Sequence, residues 1–160
     1  MAYSFDLAAC VGSADELLPA VLRLVAAKGW PHQAGERFVG LRPELPVVGK
    51  ANLTLSFAPA QSGGGILRVE TVVARTAAPA PDALYERLNA WNAEHDHQDL
   101  LALSAEQSGE VSITVRAELA PHLGAKEPFL AGDLERSVER VARQGAQLRR
   151  ALEADELPLK

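Results

Sequence analysis

The chain has a single cysteine, Cys10, in 160 residues. A lone thiol excludes an intrachain disulfide and cannot build a thiolate zinc cage. Aromatic residues are scarce, at 5%, so a stacking platform for single-stranded nucleic acid is missing. Positive charge is in the minority: 16 Lys and Arg face 21 Asp and Glu, for a net charge of −5. That balance argues against broad binding to nucleic acid or to anionic membranes. No apolar run approaches the ~18 residues of a membrane-spanning helix. Leu7-Ala8-Ala9-Cys10 matches the small-residue pattern of a lipoprotein cleavage site. No Lys or Arg precedes it, however, and Asp6 interrupts the apolar residues. A working export signal is therefore not expected, and the expected compartment is the cytoplasm of a bacterium. Catalytic signatures are lacking too. There is no Gly-x-Ser-x-Gly elbow, and Gly63-Gly64-Gly65 has no Gly-Lys-Ser/Thr ending to cradle a phosphate.

What is present is an ordinary globular composition, 48% apolar and 23% charged, in a length that suits one domain over residues 1–160. Ser13 and Glu16 have capping-box spacing and open a helix over 14–28. Its apolar face is Leu17, Leu18, Val21, Leu22, Leu24 and Val25, and Gly29 ends it. Pro19 removes one hydrogen bond and could bend the first turn. After a short strand at Glu36–Leu41, three stretches alternate with period two: Ala51–Phe57, Leu67–Val73 and Val111–Leu119. Such alternation predicts half-buried antiparallel strands with helices on one face only. Residues 100–107 form a further strand, turned at Ser108-Gly109. A central helix near 81–95 starts at Pro81 and carries Leu84, Leu88 and Trp91. The last helix, 133–154, is expected to cap at Asp133, with Leu134, Val138, Val141, Gly145, Leu148 and Leu152 as its seam. The fold class is α+β, a two-layer, five-stranded, mainly antiparallel sheet with three helices in the order α-β-β-β-α-β-β-α.

Few residues invite chemistry. Glu94-His95-Asp96-His97-Gln98-Asp99 has metal-binding composition, but His95 and His97 stand two apart where ligands on a helix need three or four. The segment reads better as a helix end. Arg136, Arg140, Arg143 and Arg150 share one stripe of the last helix, either a solvated face or a docking surface for an acidic partner. No catalytic, metal or cofactor residues are therefore expected.

Leu88-Asn89-Ala90-Trp91-Asn92, the Ser108-Gly109 hairpin and the closing helix give residues 80–154 a resemblance to the YbjN family of bacterial proteins. Gln98-Asp99-Leu100-Leu101 departs from that family, where basic and aromatic residues are common. The resemblance implies a regulator with a fold similar to that of type III secretion chaperones, which are small, acidic and usually dimeric. The expected function is thus a non-enzymatic, protein-binding adaptor or chaperone-like module. Trp91, ending an amphipathic stripe, suits a core or a subunit interface; with Leu84 and Leu88 it is expected at a homodimer face, and a client protein is expected on Leu18, Leu22 and Val25 or along a free strand edge. One alternative is a ligand-responsive domain using the polar sheet face of Arg68, Glu70, Arg116 and Glu118. Another is a metal-dependent hydrolase using His95 and His97. The expected partners are a second copy and another protein, without nucleic acid, membrane or cofactor.

Overall fold

A computed structural model describes residues 14–59, 65–122 and 127–160. The Leu7–Cys10 motif, the Ser13 cap and Gly63-Gly64 lie outside these residues. In chain order the elements are α1 (Ala14–Lys28), β1 (His32–Ala34), β2 (Phe38–Leu41), β3 (Glu44–Leu45), β4 (Gly49–Lys50), β5 (Leu53–Pro59) and β6 (Gly65–Ala77). Then follow α2 (Asp82–His95), a 3-10 turn (Asp96–Gln98), β7 (Leu100–Gln107), β8 (Glu110–Leu119) and α3 (Ala131–Ala154). Six strands form one antiparallel sheet in the order β1-β2-β5-β6-β8-β7, and β3 and β4 form a separate two-stranded ribbon. The α+β class and three helices are as expected. The sixth strand is β1, which pairs with β2 through His32, Gln33 and Ala34. All three of its residues are exposed, so no alternation marked it in the sequence.

The alternating stretches sort their side chains as the period demands. Leu53 and Leu55 of β5, Leu67 and Val69 of β6, and Val111, Ile113, Val115 and Ala117 of β8 are all buried. They form one core with Leu17, Val21 and Val25 of α1, Leu84, Leu88 and Trp91 of α2, and Leu134, Val138, Val141, Leu148 and Leu152 of α3. All three helices thus cover the same side of the sheet. Among the described residues, no helix is long and apolar enough to cross a membrane.

Three local features differ from expectation. The last helix starts at Ala131 with Leu130 as its cap residue, and Asp133 lies inside the first turn, where it pairs with Arg136 and His122. Pro81 is the cap residue of α2 rather than part of its first turn. In β6 the register shifts between Val72 and Ala74, and both Val73 and Ala74 are buried. The extra residue is a β-bulge, which swaps the inward parity and brings Thr76 to 2% exposure. Pro19, by contrast, is accommodated inside α1.

Gly145 sets the spacing between α3 and the sheet. A Cβ there would lie 2.7 Å from Thr71 Cγ2, so the helix reaches β6 only because the side chain is missing. The β7–β8 turn uses Ser108 and Gly109, both with positive φ (52° and 75°), the pattern of a tight hairpin turn whose twist matches the strands.

Candidate functional site

The side of the sheet away from the helices is polar, half-buried and uncovered by any described element. Across it, Phe38, Ser56, Arg68 and Glu118 stand on one row, and Gly40, Thr54, Glu70, Arg116 and Leu101 on the next. Val72 and Thr114 begin a third. The two central strands therefore carry a checkerboard in which each arginine faces a carboxylate across the ladder, an arrangement that stabilises cross-strand pairs. Arg116 Nε lies 3.3 Å from Glu70 Oε1 without the direction of a hydrogen bond. Arg68 Nε and Arg116 Nε are shielded from solvent and have no hydrogen-bond partner among the described residues. A shielded donor left unpaired costs about 1–3 kcal/mol. Three large apolar side chains flank the checkerboard: Phe38, Val72 and Leu101, each between 43% and 49% exposed.

At one margin of this face the sheet has an incomplete edge. β5 pairs with β6 only as far as Glu70, whereas β8 follows β6 to Ala77. Beyond Glu70, then, β6 has a strand on one side only. An open cleft of about 590 Å³ lies there, lined by residues including Asn52, Thr54, Glu70, Val72, Arg75, Arg149 and Lys160. Several groups reach the exposed edge. Thr71 Oγ1 donates to Asn52 O at 2.8 Å, and Arg149 Nη1 donates to Val73 O at 2.8 Å. The segment after α3 supplies the rest, with Lys160 N donating to Arg75 O at 2.7 Å and Pro158 O accepting from Thr76 Oγ1 at 2.8 Å. That segment is aimed by the end of α3. Leu157 N bonds back to Leu152 O and Glu156 N to Glu153 O, with Glu156 at φ 58°. Together these form a Schellman cap that turns the chain out of the helix.

An exposed ion pair ties α2 to the same helix end. Arg87 donates twice to Asp155, both at 2.7 Å. The hydrogen bond from Arg87 holds the Asp155 carboxyl below its ordinary range, and the same bond raises Arg87.

The residues singled out in the sequence are distributed differently from expectation. Leu84, Leu88 and Trp91 are 1%, 5% and 6% exposed within the single chain, so they have almost no area left to give to a second copy. Val25 is fully buried in the core, which removes it from a client surface, while Leu18 and Leu22 remain partly buried. His95 stacks on Trp91 with ring centroids 3.9 Å apart. Its Nδ1 lies 2.8 Å from Trp91 O and its Nε2 3.1 Å from Gln144 Oε1. Both nitrogens are thus engaged in holding the end of α2 against α3. His97 is exposed beside Gln98, and no group of three metal-ligating side chains forms among the described residues. The arginine stripe is divided as well: Arg140 donates to Gln98 O at 2.9 Å, and Arg136 pairs with Asp133.

The Trp-Asn pair acquires a structural meaning here. Asn92 donates through Nδ2 to Ala102 O at 3.0 Å and accepts from Ala102 N at 2.7 Å. It thereby covers main-chain groups of β7, an outer strand that would otherwise present them unpaired. Sequence reasoning missed the β6 margin. Its signal was Leu157-Pro158-Leu159, an apolar, proline-containing stretch that cannot continue α3.

Comparison with known proteins agrees with this architecture. No curated protein matches the chain. The crystal structure of YbjN, "a putative transcription regulator from E. coli", superposes with a TM-score of 0.64 at 13% sequence identity, over 89% of this chain and 95% of that one. At that identity the likeness speaks for the fold. The family model YbjN, described as "Putative bacterial sensory transduction regulator", matches residues 17–117, a span that includes most of α1, the whole of β1 to β7 and most of β8. With more than half its length matched, the chain belongs to the YbjN family.

Proposed function

We propose that the chain is a non-enzymatic regulatory module that works by binding another protein on the uncovered side of its sheet. The supporting observation is the set of exposed apolar side chains Phe38, Val72 and Leu101 on a sheet face that no described element covers. A protein surface packed on Phe38, Val72 and Leu101 would remove their exposed area from water. A second copy, the other expected partner, would have to meet the chain elsewhere than through Leu84, Leu88 and Trp91.

The test is affinity capture from a lysate of the source organism, comparing the native chain with the double variant Phe38→Asp/Leu101→Asp. Both positions are exposed, so the variant should keep its melting temperature. A partner retained by the native chain and lost from the folded variant supports the proposal. Equal capture by both chains, or none by either, overturns it.

The cleft favours a second reading, a ligand-responsive regulatory domain, because its volume falls within the range of small-molecule sites. A thermal-shift screen separates the two: one metabolite raising the melting temperature strongly, without any protein partner, selects the second reading.

A further inference from the structure

Gly40 stands on the open face of the sheet without a side chain, and no contact among the described residues accounts for it. Its backbone is outside the left-handed region. The register of β2 runs unbroken past it on both sides, so neither a turn nor a bulge calls for glycine. A Cβ there would meet only Gln33 O, at 3.8 Å, an ordinary contact. Glycine inside a strand costs entropy and packing, and often marks a place where something else approaches the backbone closely. An open hollow of about 320 Å³ lies at this position, with Gln33, Arg42 and Asn52 on its rim.

The rows of the same face match one another when one copy is turned over. Phe38, Ser56, Arg68 and Glu118 stand on one row, and Gly40, Thr54, Glu70 and Arg116 on the next, strand by strand. A twofold axis lying between two stacked faces, and crossing the strands between those rows, sets each row over the other row of a second copy. Strands stacked this way stay nearly aligned, a common geometry of packed sheets. Phe38, 48% exposed, then meets the Gly40 hollow of the second copy. Ser56 meets Thr54, Arg68 meets Glu70, and Glu118 meets Arg116. One step further out, Ile66 stands beside Ala58 and Val72 beside Thr114, and the same axis lays Val72 over Ile66. A large side chain thus meets a missing one, apolar meets apolar, and each charge meets its opposite. The four charges cancel within one copy, so the face selects neither an acidic nor a basic partner. What an alternating pattern selects is the same alternation reversed, because other registers set like charges together. A second axis, running along the strands between β6 and β8, also opposes the charges, but it carries Phe38 beyond β7 of the other copy.

We propose that the protein covering the open face is a second copy of this chain, seated about the twofold axis that crosses the strands between these rows, with Phe38 of each copy in the Gly40 hollow of the other. The proposal rests on the protein-binding reading above and names its partner. Burial of Phe38, Ile66 and Val72 supplies affinity, and the opposed charges fix the register. The patch is small for an interface, so a dissociation constant in the micromolar range is expected.

The experiment is sedimentation equilibrium of the full chain. The native chain should approach the mass of two copies at micromolar concentrations and above. Gly40→Leu fills the hollow, and its Cβ meets nothing closer than Gln33 O. It should keep its melting temperature and weaken self-association about tenfold or more. Arg68→Glu/Arg116→Glu leaves four carboxylates on the checkerboard, and Glu70→Arg/Glu118→Arg leaves four guanidiniums. Each alone should sediment as one chain, and their equimolar mixture as two. Where like charges on neighbouring strands unfold either variant, Gly40→Leu alone decides. A native chain that stays single overturns the proposal, as does a Gly40→Leu chain that associates like the native one. Folded charge variants that self-associate alone, or fail to pair when mixed, overturn it too. If the native chain stays single while Phe38→Asp/Leu101→Asp still loses a lysate partner, the second copy alone falls. If the native chain is single and the lysate yields no partner, the protein-binding reading falls with it.

Discussion

The two sides of β8 make contrasting use of the same strand. Its inward residues, Val111, Ile113, Val115 and Ala117, are between 0% and 5% exposed and meet the helical layer. Its outward residues, Ser112, Thr114, Arg116 and Glu118, stand beside their neighbours on adjacent strands. On the covered side every position is committed to packing, and stability depends on volume and shape. On the uncovered side the side chains are half-buried yet incompletely paired, as the arginine donors show. A face maintained only for solubility would carry freely hydrated charges. Here charge is partly desolvated next to exposed Phe38, Val72 and Leu101, the composition of a surface that becomes more stable when something covers it.

The contrast breaks most severely if an inward and an outward position respond alike. Ile113→Asp buries an unpaired carboxylate, which should cost about 4 kcal/mol or more and unfold much of the population. Thr114→Asp, one residue away on the other side, should stay within about 1 kcal/mol. Urea denaturation of both variants checks the pair, and similar midpoints would erase the distinction. Next in size is Gly145→Val, which forces a side chain into the 2.7 Å approach to Thr71 Cγ2. Overpacking of that kind should cost about 1–3 kcal/mol, read from the same denaturation curves.

Asn92→Ala sharpens the comparison at the other outer strand. Losing both bonds to Ala102 should cost about 1–2 kcal/mol and raise the hydrogen-exchange rate of the Ala102 amide, leaving the β6 margin unchanged. The smallest effect concerns pH. Because Arg87 holds the Asp155 carboxyl below its ordinary range, the pair stabilises the fold above the unfolded carboxyl pKa of about 3.9. That contribution is lost as pH falls through the lower folded value. Asp155→Asn should therefore be less stable than the native chain near neutrality and converge with it in strong acid. Melting temperatures measured from pH 7 down to pH 2 check the trend.

Much of the covered side was legible in the sequence. Period-two runs at Ala51–Phe57, Leu67–Val73 and Val111–Leu119 specify which side chains turn inward. The four-three repeat from Leu134 to Leu152 likewise specifies the face of α3. The uncovered side was legible only as polarity: Arg68, Glu70, Arg116 and Glu118 were recognised as one surface. Periodicity cannot show that two of their donors lack partners. Trp91 was ambiguous because an aromatic on an amphipathic stripe suits both a core and an interface, and burial depends on α3 arriving from elsewhere in the chain. The β6 margin was hidden for another reason. It exists because β5 stops pairing seven residues before β8 does, and strand ends are set by tertiary pairing rather than by local composition. His32–Ala34 escaped notice for the same reason, since its pairing with β2 leaves all three residues exposed.

Carboxyl footprinting of the chain, free and with its captured partner, tests the central claim most directly because it reports each side of the sheet separately. Binding on the uncovered side predicts that carbodiimide labelling of Glu70 and Glu118 falls while that of Glu139 and Glu153 on α3 is unchanged. Protection of the α3 carboxylates with Glu70 and Glu118 still labelled would contradict it.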